Sequence, residues 1–119
     1  MNNLFFVHLF HILIVGSLFV YIGINRDKIP EFMYPILLSL GSIIILYHTY
    51  KVYNYIKNKK PYWINLIHIL IIGPLLIYIG FNRDKTERRF FEILLMLGFA
   101  SIGYHGYYMF FESSNKTKI

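Results

Sequence analysis

The feature that most constrains this chain is an internal repeat with an offset of 57 residues. The letters HILIVG, beginning at His11, return as HILIIG beginning at His68. Residues 9–53 align without gaps on residues 66–110, and 23 of the 45 aligned pairs are identical. A repeat of this length predicts two copies of one structural unit, so any fold proposed for the chain must contain that unit twice.

Four apolar runs make up most of the chain, which is 56% hydrophobic and has a positive mean hydropathy. A helix needs about 20 apolar residues to cross a bilayer, and each run has about that length. The runs lack the alternation of polar and apolar residues that is typical of a barrel strand. The sequence therefore predicts an all-α integral membrane protein with four transmembrane helices, at residues 4–24, 32–50, 62–81 and 90–111.

The repeat divides these helices into two tandem two-helix units, residues 1–57 and 58–112, followed by a short tail, residues 113–119, that is expected to be disordered. Because each unit has an even number of helices, both copies should cross the membrane in the same direction. The pseudo-two-fold axis would then run along the membrane normal. The lysines and arginines of the loops divide six to six between the two faces, so their number does not orient the chain. The dense basic cluster Lys57–Lys60 favours cytoplasmic termini.

Composition also excludes several classes of function. The net charge is +6, but the basic residues lie in short loops and in the tail, which indicates a lipid bilayer as partner and no nucleic acid. The absence of cysteine excludes disulfides and thiol chemistry. The sequence has no pair of carboxylates and no serine placed beside a histidine and an acid, so an enzyme is not expected.

Four histidines recur in the repeat: His11, His48, His68 and His105. Antiparallel helices place the start of one beside the end of the next, which predicts one common depth for all four, toward the termini. His11 lies about 7 residues, or about 10 Å, inside its apolar run. An ionisable side chain at such a depth is a functional candidate, although hydrogen bonding to a neighbouring helix would also account for it. His48 and His105 lie between tyrosines, where an interfacial aromatic belt is an alternative.

Three functional hypotheses remain open. The chain is a proton or cation channel or transporter, or a bundle that binds haem b or a Cu or Zn ion, or a structural or adaptor membrane protein whose histidines only pack. The first hypothesis calls for a homo-oligomer, since four helices enclose little room for an aqueous path. It also predicts polar residues at the opposite mouth, for which the repeat supplies Tyr21, Asn25, Arg26, Tyr78, Asn82 and Arg83.

Three local expectations concern the helices themselves. Small residues allow close helix contact in lipid, so the repeated glycines are predicted to pack against neighbouring helices: Gly16, Gly23, Gly41, Gly73, Gly80 and Gly98. Asp27 and Asp84 are expected to cap the second and fourth helices. Pro74 is expected to kink the third helix and to break its likeness to the first, which has Ser17 at the matching position.

Overall fold

The protein is all-helical in residues 3–115, which are those that the computed structural model describes. The helical elements follow one another with only short connections between them. In chain order they are α1 (Asn3–Phe10), a π-helical segment (His11–Gly16), α2 (Ser17–Asn25), a 3-10 turn (Arg26–Lys28), α3 (Met33–Lys57), α4 (Trp63–Ile67), a second π-helical segment (His68–Ile72), α5 (Gly73–Asn82), a second 3-10 turn (Arg83–Lys85) and α6 (Arg88–Asn115).

These elements form four helices that are long and apolar enough to cross a membrane, as the sequence predicts. We refer to them as span 1 (Leu4–Lys28), span 2 (Met33–Lys57), span 3 (Trp63–Lys85) and span 4 (Arg88–Phe111). Helix α6 continues beyond span 4 to Asn115, and the last four residues of the predicted tail lie outside the described part of the chain.

Span 2 is seven residues longer at its C-terminal end than predicted, since it ends at Lys57 and not at residue 50. The added turns are polar but contain no helix breaker. They carry lysines that lie over tyrosine rings of the same helix. The Lys51 Nζ is 5.6 Å from the centre of the Tyr47 ring, and the Lys57 Nζ is 5.6 Å from that of Tyr53. The helix ends only where Lys59 adopts a positive φ of 57°.

Spans 1 and 3 end in the same way. The first residue after the helix, Arg26 or Arg83, adopts a positive φ of 54° or 56° and donates its backbone N–H to a carbonyl four residues earlier. The preceding asparagine side chain, from Asn25 or Asn82, donates to the carbonyl four residues before it at 2.8 Å. The repeated NRDK motif therefore ends a span with a strained turn.

The expected aspartate caps are wrong. Helix α3 begins at Met33, and its N-cap residue Phe32 makes no side-chain hydrogen bond to the helix. Helix α6 begins at Arg88, four residues after Asp84. Both aspartates instead belong to the 3-10 turns that follow spans 1 and 3.

The chain forms two compact units, and each unit takes one span from each sequence repeat. Unit 1 comprises residues 1–26 and 91–119, so it pairs span 1 with span 4. Unit 2 comprises residues 27–90 and pairs span 2 with span 3. Each repeat therefore packs its first helix on the second helix of the other repeat: span 1 packs on span 4, and span 3 packs on span 2.

Glycines bring the two spans of each unit into close contact, and the contacts recur at matching positions. In unit 1, a Cβ on Gly23 would lie 2.5 Å from the Cβ of Leu95. In unit 2, a Cβ on Gly80 would lie 2.7 Å from the backbone nitrogen of Leu38, the counterpart of Leu95. A Cβ would come within 2.9 Å of a neighbouring atom at every repeated glycine: Gly16, Gly23, Gly41, Gly73, Gly80 and Gly98.

The apolar core of each unit lies toward the end of the spans that carries the NRDK turns. It also recurs at matching positions, because each buried apolar side chain of unit 1 has a buried counterpart, 57 positions away, in unit 2. The four fully buried pairs are Phe19 and Leu76, Ile22 and Ile79, Phe91 and Tyr34, and Leu94 and Leu37.

Both first spans contain a π-helical segment, so, contrary to expectation, Pro74 does not remove the likeness between spans 1 and 3 at this place. The segments occupy His11–Gly16 and His68–Ile72, and span 1 forms its segment without a proline. In span 3 the backbone N–H of Gly73 donates to the carbonyl of His68, five residues earlier. Pro74 follows in the first turn of α5, where its missing N–H is tolerated.

Candidate functional site

Cluster 1, in unit 1, consists of His8, His11 and His105. The Nδ1 atoms of His8 and His105 are 2.8 Å apart, and both side chains are buried. The ring of His11 stacks on that of His105, with the ring centres 4.3 Å apart and the planes 24° from parallel. Span 1 supplies the first two histidines and span 4 the third, so the cluster joins the two helices of its unit.

Cluster 2, in unit 2, consists of Asn65, His68 and His48. The Nδ1–H of His48 donates to the Oδ1 of Asn65 at 2.7 Å, and Asn65 is buried. The rings of His48 and His68 stack with their centres 4.0 Å apart and their planes 17° from parallel. Span 3 supplies the first two residues and span 2 the third.

The two clusters are counterparts, position by position, under the 57-residue offset. In both clusters a tyrosine directly precedes the histidine of span 4 or span 2, and the two rings meet edge-on at 81°. The ring centres of Tyr104 and His105 are 5.0 Å apart, and those of Tyr47 and His48 are 5.2 Å apart. The one chemical difference within the trios is that His8 of cluster 1 is replaced by Asn65 in cluster 2.

Hydrogen bonds to backbone carbonyls fix the tautomers of His11 on span 1 and His68 on span 3. The Nδ1–H of His11 donates to the carbonyl of Val7 at 2.7 Å, and that of His68 donates to the carbonyl of Ile64 at 2.8 Å. A carbonyl can only accept, so in both rings Nδ1 carries the proton. In the neutral ring Nε2 is then the basic nitrogen.

Local backbone structure explains how these rings are presented. His8 and His11, like Asn65 and His68, are three residues apart and therefore lie on one face of their helix. Each π-helical segment begins at the stacked histidine, His11 or His68. Short π-helical segments inside α-helices occur frequently at functional sites.

The electrostatic surroundings of the clusters contain aromatic rings and no described carboxylate nearby. Tyr104 and Tyr108 face cluster 1, the latter with its ring centre 6.4 Å from that of His8. Five of the six acidic residues lie at the opposite end of the spans or in the connections there: Asp27, Glu31, Asp84, Glu87 and Glu92. The side chain of the sixth, Glu112, is outside the described part of the chain.

The ring geometry does not favour shared metal or haem ligation. An imidazole binds a metal in the plane of its ring, along the nitrogen lone pair, and two nearly parallel rings stacked face to face do not direct their lone pairs at a common point. Among residues 3–115, no group of three or more histidine or acidic side chains is arranged to hold a metal ion. Binding of haem b, Cu or Zn at a cluster stays a prediction.

The candidates for the opposite mouth have structural roles and lie far from the clusters. His11 and Asn25 are separated by 14 residues, or about 21 Å of helix. The Arg83 Nη1 pairs with the Glu31 Oε1 at 2.9 Å, and both side chains are more than half exposed. The side chains of Asn25 and Asn82 donate to backbone carbonyls of their own spans, those of Tyr21 and Tyr78. Arg26 forms the turn described above.

Sequence reasoning sets His8 and Asn65 aside as site residues, because the histidine at position 8 does not recur as a histidine in the second repeat. A usable signal was present all the same. Both residues are polar, occupy matching positions in apolar runs, and lie three residues before a repeated histidine.

Comparison with known proteins adds no identification. No protein-family model, curated protein or solved structure is significantly similar to the chain. The function proposed below is therefore argued from the geometry of the clusters.

Proposed function

We propose that this chain is an integral membrane protein that moves protons, as a channel or transporter, and that the imidazoles of the two clusters take up and pass on the proton. The observation that carries the proposal is the 2.8 Å contact between the Nδ1 atoms of His8 and His105, with the His11 ring stacked beside it. Histidine is the side chain whose ordinary protonation change falls in the physiological pH range.

Placement of these rings in apolar helices supports a functional role. Ionisable groups inside a membrane are costly and usually belong to ion pathways or proton relays. A direct contact between two imidazole nitrogens needs one proton between them, since two N–H groups would repel each other and two lone pairs would also do so. An additional proton on the pair has an imidazole nitrogen available on either side.

Passage across the whole bilayer requires a change of conformation in this proposal. Toward the NRDK end, the described buried side chains are apolar apart from the hydroxyls of Tyr34 and Thr86, which are too few to form a continuous relay. The π-helical segments begin at His11 and His68 and extend toward this core, at a place where a helix can shift its hydrogen-bond register. A homo-oligomer, expected from the small number of helices, would supply further surfaces for the path.

Proton flux into liposomes tests the proposal. Purified protein is reconstituted with an internal pH-sensitive dye, and a potassium gradient with valinomycin provides the driving force. We expect flux that falls about tenfold or more when His11, His48, His68 and His105 are all changed to Asn. Asparagine keeps an N–H donor close to the position of the lost Nδ1–H.

A Tyr47→Phe, Tyr104→Phe double variant is the matched control, because it alters the neighbouring rings and keeps every imidazole. Its flux should equal that of the wild type. Absence of flux in the wild type, or unchanged flux in the four-histidine variant, would overturn the proposal. A visible spectrum and metal analysis of the same preparation test the haem and Cu or Zn alternatives.

A further inference from the structure

We infer that the two clusters are not functionally equivalent: cluster 1 transfers the proton between spans through His8, and cluster 2 is blocked at this step by Asn65. The inference rests on the proposed function and assigns its transfer step to one residue. Asn65 of cluster 2 is then the counterpart of His8 that does not transfer the proton.

The geometry around the two positions is closely matched, so a difference in behaviour has a chemical origin. In cluster 1 the Nδ1 of His105 lies 2.8 Å from the Nδ1 of His8. In cluster 2 the Nδ1 of His48 lies 2.7 Å from the Oδ1 of Asn65. The stacked ring centres are 4.3 Å apart between His11 and His105, and 4.0 Å apart between His68 and His48. His8 and Asn65 are both at least 94% buried, since 6% and 3% of their surfaces are exposed.

In cluster 1 the acceptor is a second imidazole. Before transfer, His105 is an imidazolium with protons on both nitrogens, and His8 is neutral with its proton on Nε2. The Nδ1–H bond of His105 breaks as the lone pair on the Nδ1 of His8 forms a new N–H bond. His8 becomes the imidazolium, His105 keeps its Nε2 proton, and the positive charge moves with the proton. No electrons are exchanged with any other group.

In cluster 2 the acceptor is an amide oxygen. The Nδ1–H of His48 donates to the Oδ1 of Asn65, but an amide has no titratable proton and is a far weaker base than imidazole. A proton on His48 therefore stays on His48. The same hydrogen bond that holds spans 2 and 3 together ends the relay.

The groups that face the transferring pair do not change this contrast. In cluster 1 they are His11, Tyr104 and Tyr108. Their counterparts in cluster 2 include His68 and Tyr47, which meet His48 in the same ring geometry as His11 and Tyr104 meet His105. Tyr108 has Lys51 at the matching position, and the Lys51 Nζ lies near the rings of Tyr47 and Tyr55.

Exchange of the two residues tests the inference in the full-length protein, because each substitution copies what the chain already has at the matching position. We expect His8→Asn to reduce proton flux into liposomes about tenfold or more. The variant Asn65→His should conduct at least as well as the wild type. The double exchange, His8→Asn with Asn65→His, should restore most of the flux by moving the imidazole pair to cluster 2.

Nitrogen-15 NMR of histidine-labelled protein in lipid bilayers provides a readout that does not depend on flux. A scalar coupling across an N–H···N hydrogen bond should be present in the wild type, absent in His8→Asn and restored in the double exchange. Wild-type flux that is unchanged in His8→Asn would overturn the inference and leave the proposed function standing. Absence of wild-type flux together with the expected NMR pattern would overturn the proposed function, while a missing coupling in the wild type would overturn the shared proton itself.

Discussion

Tyr34 is fully buried, and its hydroxyl has no hydrogen-bond partner among the described residues. A buried hydroxyl without a partner loses its hydration and gains nothing in return. The matching position in the other unit is Phe91, which is equally buried and has no hydroxyl. The ring of Tyr34 therefore contributes packing, while its oxygen destabilises the fold.

We expect Tyr34→Phe to leave the free energy of unfolding unchanged or to raise it by about 1–2 kcal/mol. Leu37→Ala, at another fully buried position of the same span, should lower it by about 2–5 kcal/mol because it opens a cavity. Denaturant titration in mixed micelles measures both. A loss of stability in Tyr34→Phe comparable to that in Leu37→Ala would indicate that the hydroxyl has a partner that matters.

At the scale of single residues, the repeat shows which residues to consider but does not determine their roles. From the repeat, Asn25 and Arg26 are candidates for polar residues at an opposite mouth. In the structure the Asn25 side chain donates to the Tyr21 carbonyl of its own helix, and Arg26 ends that helix with a positive φ. A positive φ at an arginine could not be predicted, because nothing in the sequence distinguishes it from an arginine in ordinary helical conformation.

The close contact between spans depends on glycine at the element scale. A Cβ at Gly80 would meet the backbone of Leu38 and Tyr34 at 2.7 and 2.8 Å, and backbone atoms cannot move aside as a side chain can. Gly103, in contrast, has no atom within 4 Å of its would-be Cβ. The two glycines provide a matched pair for the same substitution.

Gly80→Ala should lower the free energy of unfolding by about 1–3 kcal/mol, since the spans must separate to accommodate the methyl group. Gly103→Ala should leave it unchanged or raise it by up to about 1 kcal/mol, because alanine favours helix more than glycine does. Unfolding in a mixed-micelle titration measures both values. Equal effects at the two positions would show that propensity outweighs the contact at Gly80.

Helix location was largely predictable, but helix irregularity and pairing were not. Runs of about 20 apolar residues identify the four spans, but the predicted ends of spans 1, 2 and 3 fall four, seven and four residues too early. A hydrophobic pattern cannot reveal the π-helical segment at His11–Gly16, because its residues are apolar all round. Likewise, a repeat shows which helices are alike and leaves open which of them pack together.

For the whole molecule, the proposed bilayer assigns the two kinds of connection to opposite faces. The link that contains Lys60 should lie on the side of the termini, and the turn that contains Lys85 on the other. Both lysines are exposed, and the chain has no cysteine of its own. Single cysteine substitutions at these two positions therefore report on topology without background.

We expect a membrane-impermeant maleimide to label Lys85→Cys in intact cells and to label Lys60→Cys only after the cells are opened. The order follows from the cytoplasmic placement of the basic link. The wild type, which lacks cysteine, is the control for specificity. Reaction of both variants in intact cells would contradict four crossings, and the reverse order would place the termini outside.

The sequence identified four of the six residues in the two clusters, because those four are histidines that recur. It did not separate them into His11 with His105 and His48 with His68, since a repeat alone does not specify which spans share a unit. The two residues that it left out, His8 and Asn65, occupy matching positions but differ in type. A search for residues that recur in both repeats does not find such a pair.

The crossed pairing of spans has an evolutionary consequence. A free-standing two-span chain could make the contacts of one unit only by exchanging helices with a second copy, so an ancestor of that kind would have been a dimer with two identical clusters. Any mutation in its gene would have altered both clusters at once. Duplication and fusion remove this restriction, because each cluster then has its own codons. The chain now encodes histidine at position 8 and asparagine at position 65, a divergence that no symmetric dimer could have acquired.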